Sequence, residues 1–292
     1  MRKKILSVLL LLSVAGFIAG CQGKDANESN ESNGENTGAT SDDGGTSETT
    51  IKVAASSTPH AEILEKAKEL LKEDGIELDI LVFNDYVQPN LVVESGDFDA
   101  NYFQHGPYLN NFNDEHKTNL VSAGSIHYEP LGIYPGASDD LQNIKEKAVI
   151  SVPNDATNEA RALLLLQENG IITLKEGAGI AATATDIEEN PYNIELKELE
   201  AAQIPRVKDE VDFVVLNGNY ALEAGYTVAD DAIAYEKSDS EAAVEYANVI
   251  AVKQGNENAE NIKKLVEVLQ SDEIKTFIDE KYNGAVISAE HK

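Results

Sequence analysis

A break in composition at residue 50 decides where this chain can bury a core. Between Gln22 and Thr50 the only apolar side chains are Ala26 and Ala39, set among Ser, Asn, Gly, Thr, Glu and Asp. Such a stretch cannot bury enough apolar surface to offset the entropy lost on ordering. Residues 22–50 are therefore expected to form a disordered acidic and polar linker, with a coil span of roughly 30 Å. Folding is confined to Ile51–Lys292, about 240 residues, enough for two lobes of ordinary size.

Ahead of the linker stand three cations, Arg2, Lys3 and Lys4, and a 15-residue apolar run, Ile5–Ala19. The run is short for a membrane span, which needs roughly 20 residues, and suits the apolar core of a signal peptide. It ends in Ile18-Ala19-Gly20-Cys21, which resembles a bacterial lipobox. Residues 1–21 thus read as a lipoprotein signal, with Cys21 as the acylated new N-terminus. An ordinary secretory signal with an incidental Cys is the plainer alternative, but the chain's only Cys sits where the chemistry needs it. A single Cys leaves no intrachain disulfide and no Cys-based metal site. The net charge of −29 becomes about −32 once the signal is removed, with 52 acids against 20 bases. Such a surface repels phosphates and anionic headgroups. That argues against nucleic acid as a partner and leaves the lipid as the route to a membrane.

Within the body, Ile51–Ala55 reads as a strand. Apolar residues at Ile63, Leu64, Ala67, Leu70 and Leu71 follow helical spacing over 61–74. Thr58 is placed as N-cap, Pro59 at the first helical position and Gly75 at the stop. A strand over 76–83 completes a β-α-β opening. The pattern returns with a strand at 149–153, a helix at 158–169 stopped by Gly170, and strands at 213–216 and 249–252. Helices follow at 261–270 and 273–282. Alternating elements argue an α/β fold, and two such openings argue two lobes. Ligands of open parallel sheets bind beyond the carboxyl ends of strands. This directs attention to 56–60, 83–90, 101–108, 127–129, 154–161 and 217–220.

No Gly-x-Ser-x-Gly, His-Glu-x-x-His, Walker A or dinucleotide fingerprint is present, so the chain is read as a binding protein and not an enzyme. The stretch Asn101–Tyr108 carries three rings and a His, with Gly106-Pro107 pointing to an irregular loop or a helix start. Phe103, His105 and Tyr108, joined by Tyr86, either wall an apolar slot or pack a core beneath a loop. Between a strand and a helix, Pro153–Arg161 could seat a carboxylate on helix N–H groups and the Arg161 guanidinium. Composition taken bare favours an Asn or Thr cap and a surface ion pair for Arg161. Likewise, Asn217 could serve a zwitterion, but Asn-Gly reads first as a turn.

Taken together, four segments identify a known family. Tyr86-Val87-Gln88-Pro89-Asn90, Asp99–Leu109 with its Phe-Gln-His-x-Pro-Tyr core, Val152–Asn158 with Arg161, and Leu216–Ala221 resemble the methionine-binding lipoproteins of ABC importers. The resemblance covers about Ile51–Lys292 and the lipobox. It implies a type II periplasmic-binding-protein-like fold, two α/β lobes joined by two crossover strands with a ligand cleft between. Lobe 1 would comprise 51–130 and 247–292, and lobe 2 residues 131–246. It implies that Tyr86, Phe103, His105 and Tyr108 line a thioether pocket, that Arg161 binds the ligand carboxylate and that Asn217 holds its backbone polar groups. Asn158, His127 and Glu129 join the candidates, the last two serving equally well at a hinge. The implied role is delivery of a methionine-like amino acid (L-methionine, D-methionine or a methionine dipeptide) to an ABC permease from the outer face of the cell membrane, without a cofactor. Gly106 stands where relatives often carry a long cation, which bears on the pocket rim. Two other readings remain: a zinc or manganese carrier built on His60, His105, His127 and Glu129, and a surface adhesin or structural lipoprotein.

Overall fold

A computed structural model of the chain describes residues 49–237 and 244–289. The signal segment, Cys21 and the linker as far as residue 48 lie outside the described residues. Strand β1 (Thr49–Ala55) starts two residues before the expected Ile51, because Thr49 and Thr50 pair with Ile76 and Glu77 of β2 (Ile76–Val82). Between them a turn at Ser57–Ala61 leads into α1 (Glu62–Glu73). Thr58 does not cap this helix. It precedes Pro59 and is extended (φ −130°, ψ 134°), the region a proline imposes on its predecessor, so the helix begins at Glu62 behind Ala61. The helix buries Ile63, Leu64, Ala67 and Leu71, and Gly75 turns the chain at φ 74°, a conformation costly for any side chain with a Cβ.

Helix α2 (Gln88–Ser95) precedes β3 (Ala100–His105), which is buried along its whole length. Residues 101–105 are therefore a core strand rather than an irregular loop. Of the two expectations for Gly106-Pro107, the helix start is the one realised, since they open α3 (Gly106–His116). Strand β4 (Leu120–Tyr128) ends the first passage through this sheet, and β5 (Gly132–Pro135) begins a second sheet. There follow β6 (Val149–Pro153), α4 (Ala156–Glu168), a small hairpin of β7 (Thr173–Leu174) and β8 (Ile187–Glu189), β9 (Glu195–Leu199), β10 (Phe213–Leu216), α5 (Gly218–Glu223) and β11 (Ala234–Tyr235). The chain then returns with β12 (Asn248–Lys253), α6 (Glu260–Leu269), α7 (Asp272–Tyr282) and β13 (Ile287–Ser288).

The first sheet has the order β13-β4-β12-β3-β1-β2 and the second β11-β5-β10-β6-β9. Strands β1, β2 and β3 are parallel, as are β6, β9 and β10. Each sheet is nevertheless mixed, since β12 runs against β3 and β4, and β5 runs against β10. Both antiparallel strands are the first that the chain lays down after crossing from the other sheet. The crossings lie between β4 and β5 and between β11 and β12. Helices α1, α6 and α7 cover the first sheet through Leu64, Leu71, Leu265, Leu269 and Ile278. Helix α4 packs Leu163 and Leu166 with Ile150, Val152, Phe213 and Val215 of the second. The described residues fall within one compact unit, and the carboxyl ends of β1, β3, β6 and β10 deliver their following loops to a shared cleft.

Candidate functional site

The cleft pocket is built at strand ends. From the first lobe come Phe103, Gln104 and His105 at the end of β3, Tyr108 in the first turn of α3, and Tyr86 before α2. From the second come Asn158 and Arg161 on α4, and Asn217, Gly218 and Asn219 at the start of α5; Glu129 and Asn248 flank the crossings. All six residues expected to meet a ligand line it, as do Asn158 and Glu129. His127 lies one layer behind, its Nε2–H donating to Glu129 Oε1 at 2.7 Å.

One wall is aromatic. Tyr86 lies 5.7 Å from Phe103, 5.7 Å from Tyr108 and 5.0 Å from Tyr220, centroid to centroid. Asp85 fixes this loop by accepting from the Val87 and Gln88 N–H groups, both at 2.7 Å. Tyr108 donates its hydroxyl to the Tyr86 carbonyl at 2.9 Å. Across the cleft, Tyr86 donates to Asn219 Oδ1 at 2.5 Å. Burial, with nearby tyrosines and carboxylates, holds the Tyr86, Tyr108 and Tyr220 hydroxyls protonated.

The opposite wall is polar. Asp155, neither an Asn nor a Thr, caps α4 by accepting from Asn158 N–H. That cap sets Asn158 and Arg161 one turn apart on the face turned to the cleft. His105 accepts the Tyr108 N–H at Nδ1 and donates from Nε2 to Asn158 Oδ1 at 3.1 Å, an oxygen that also accepts from Asn217 Nδ2 at 2.8 Å. Burial and the charge of Arg161 push His105 down to about 3, so it is neutral here. Two polar atoms in this wall, Asn217 Oδ1 and Asn219 Nδ2, are buried without a partner among the described residues. Buried polar groups are almost always satisfied, so an orphan acceptor and an orphan donor in one pocket point to a polar ligand.

Arg161 is not the surface cation its spacing suggested. It is 3% exposed, because α4 packs into the cleft. Its Nε donates to Glu236 Oε1 at 2.7 Å and its Nη2 to Glu236 Oε2 and to the Glu129 carbonyl at 2.8 Å. The Tyr246 ring lies 4.5 Å beneath the guanidinium. Burial opposes both charges, but the pair overrides it: Glu236 is held below the usual carboxylate range and Arg161 above its own. The fork expected to grip a ligand is half occupied, with Nε and Nη2 committed to Glu236 and the Glu129 carbonyl.

Glu129 ties the pocket to a buried cluster. Its Oε1 lies 2.7 Å from His127 Nε2 and 3.4 Å from His60 Nε2, and it also accepts the Asn219 N–H. Tyr102 donates to His127 Nδ1, and His60 Nε2 donates to Asn248 Oδ1 at 3.0 Å. Burial pushes His60 down to about 4 and His127 to about 3, and pushes Glu129 up against His60 and Arg161. His60, His127 and Glu129 are thus the three members of the metal reading that come together, with candidate ligand atoms within 4.8 Å of one another. His105 faces Asn158 instead. His127 Nε2 carries the proton that Glu129 accepts, while His60 gives its own to Asn248, so the cluster reads as a relay from Tyr102 through His127 that holds a carboxylate in the pocket floor. Gly218 makes room for it: a Cβ there would meet Glu129 Cβ at 2.6 Å and Oε2 at 2.7 Å.

Sequence reasoning missed Glu236, Asn219, Tyr220, Tyr246 and Asn248. Asn219 and Tyr220 lay inside a quoted motif and were within reach; the other three follow no local signal.

The NlpA lipoprotein family model matches residues 51–290. A lipoprotein from Ruminococcus gnavus ATCC 29149 of known crystal structure is 68% identical, over 82% of this chain and 99% of its own, with a TM-score of 0.82. A nutrient-binding protein of Burkholderia cenocepacia, solved bound to methionine, is 43% identical over 82% of this chain and 100% of its own, with a TM-score of 0.77. The methionine-binding lipoprotein MetQ of Bacillus subtilis is 40% identical over 292 residues, 98% of each chain. The mixed sheets and double crossing are the type II periplasmic-binding-protein-like fold that such proteins share. With a matching family model across the whole folded body and relatives at this identity along nearly their full length, the chain belongs to the NlpA lipoprotein family.

Proposed function

We propose that this protein is a solute-binding lipoprotein that takes up methionine in its cleft and delivers it to an ABC permease. The observation that carries this reading is the pocket's division: a wall of Tyr86, Phe103 and Tyr108 faces a polar wall with two orphan buried atoms, Asn217 Oδ1 and Asn219 Nδ2. An amino acid with an unbranched apolar tail matches both halves. Full burial of a methionine-sized side chain contributes roughly 1.5–3 kcal/mol. Nη1 of Arg161 and Asn219 Nδ2 are donors for the carboxylate, and Asn217 Oδ1 and the Glu129 carboxylate are acceptors for the ammonium. Without such partners, desolvating a zwitterion is prohibitive.

In the present conformation the side chains leave only about 20 Å³ among them, room for about one water. Ligand access therefore requires the lobes to part. Bonds that span the cleft and would part include Tyr86 to Asn219, His105 to Asn158 and Ser57 Oγ to Glu223 at 2.5 Å. Binding then draws the equilibrium toward closure, and a permease reads the closed form. Lobes divided at 130/131 and 246/247 suit this motion, since each division falls in a crossing between the sheets.

A wider groove of about 390 Å³ adjoins the ring end, lined by Tyr86, Tyr108, Asp155, Glu200 and Tyr220, and by none of Arg161, Asn217 or Glu129. Free space at the tail and none at the backbone end favours a free amino acid over a dipeptide. Cys21 would carry the lipid that holds the protein on the outer face of the cell membrane. Calorimetry on ligand-free protein with L-methionine, D-methionine and a methionine dipeptide tests the assignment, with L-methionine expected to bind. No heat with any of the three would sink it.

A further inference from the structure

We propose that Glu236 sets the charge selectivity of the pocket: by neutralising Arg161 it admits ligands that bring an ammonium group and shuts out the corresponding anions. The inference rests on the amino-acid reading of the pocket and adds which ionic form of ligand it accepts.

Arg161 is the only cation among the described residues lining the pocket. Alone, a buried guanidinium would attract any carboxylate, with or without an amine. It is not alone. Glu236 is 7% exposed and both its oxygens are committed. Oε1 accepts from Arg161 Nε, and Oε2 accepts from Arg161 Nη2, from the Tyr128 hydroxyl at 2.6 Å and from the Leu131 N–H at 3.0 Å. These donors come from α4, the end of β4 and the first crossing, so the carboxylate is fixed from three chain segments. Such a carboxylate is ionised, and with Arg161 it makes a pair of zero net charge.

Glu129 stands in the same pocket, bonded to His127 and the Asn219 N–H, and His105 is neutral. The site as a whole carries no excess positive charge. A lone carboxylate entering it loses its water and gains no net counter-charge. A zwitterion brings an ammonium that Glu129 and Asn217 Oδ1 can accept, and so balances itself. Glu236 touches no ligand; it acts through Arg161, as a specificity-determining counter-ion.

The test compares three ligands by calorimetry on the wild-type protein and on Glu236→Gln. These are L-methionine, its hydroxy-acid analogue (an anion without an ammonium) and methioninamide (a cation without a carboxylate). In the wild type the hydroxy acid is expected to bind at least 100-fold more weakly than L-methionine, and more weakly than methioninamide. In Glu236→Gln, with a free positive charge at Arg161, the preference for L-methionine over the hydroxy acid should shrink at least tenfold. A merely structural Glu236 would weaken both ligands by the same factor and leave that ratio unchanged, which overturns the inference. If the variant does not fold, the wild-type ranking decides: a hydroxy acid that binds more tightly than methioninamide overturns it as well. Failure of L-methionine itself to bind would be a failure of the amino-acid reading, and is seen separately in the first titration.

Discussion

The buried pair of Arg161 and Glu236 makes a sharp prediction about stability, separable from binding. In Arg161→Met the apolar replacement fills much of the arginine's space, but Glu236 keeps only the Tyr128 hydroxyl and the Leu131 N–H. Breaking a buried ion pair by removing one partner costs about 3–5 kcal/mol, because the remaining charge is uncompensated. For a body of this size each kcal/mol shifts Tm by roughly 2–4 °C, so the single variant should melt about 6–20 °C below wild type. In Arg161→Met with Glu236→Gln no charge is stranded. Replacing both partners of such a pair is often nearly neutral, so the double variant should recover most of the loss while still failing to bind methionine. The assay is urea denaturation of all three ligand-free proteins, with calorimetry alongside. A single variant within about 1 kcal/mol of wild type would refute the reasoning, since it would mean that Glu236 is solvated or protonated rather than buried as an ion.

Three further outcomes follow from the same geometry. His60, His105 and His127 have folded pKa values pushed to about 4, about 3 and about 3, so below about 6.5 the unfolded chain binds protons that the folded one refuses. Stability is therefore fully present above that pH and falls as pH drops toward 4, by up to about 4 kcal/mol per pH unit for three such groups. Glu129, with its pKa raised, offsets part of this; denaturation at pH 7.5, 6 and 5 giving one flat value would contradict the buried neutral histidines. Gly218→Ala should lower stability by about 1–3 kcal/mol through overpacking and weaken methionine binding by displacing the Glu129 carboxylate, and an unchanged Kd would count against Glu129 as the ammonium acceptor. Tyr86→Phe removes a bond made only across the closed cleft, worth about 1 kcal/mol. A roughly fivefold weaker Kd with unchanged stability of the free protein is expected, and equal affinity would show that the bond does not favour closure.

Much of the fold was legible because its signals are local. The apolar spacing at Ile63, Leu64, Ala67 and Leu71 and the glycine stops at 75 and 170 are properties of a few consecutive residues, and so is the strand-to-helix step at 153–161. Local rules also failed where two competed. Pro59 looked like the first residue of a helix, but its constraint on Thr58 won. Gly106-Pro107 left an irregular loop and a helix start both open, and the structure takes the helix start, behind a fully buried strand. The candidate site was legible as a set of motifs and not as an arrangement. Bare composition made Arg161 a surface ion pair, because nothing near it in sequence announces a partner 75 residues away.

By itself the sequence determined that the core lies beyond the polar stretch that begins at Gln22, that strands and helices alternate, and that rings, an arginine and asparagines fall at strand ends. These follow from periodicity and composition, which act over one or two turns of chain. Only the tertiary structure decided what those residues do to one another: that Arg161 is neutralised by Glu236, that Glu129 is held by a neutral His127 and the Asn219 N–H, and that Tyr86 reaches Asn219 across the cleft. Such pairings depend on two lobes meeting, and the free energy of a buried charge is set by whatever the fold brings within a few ångströms of it, which no window along the chain contains.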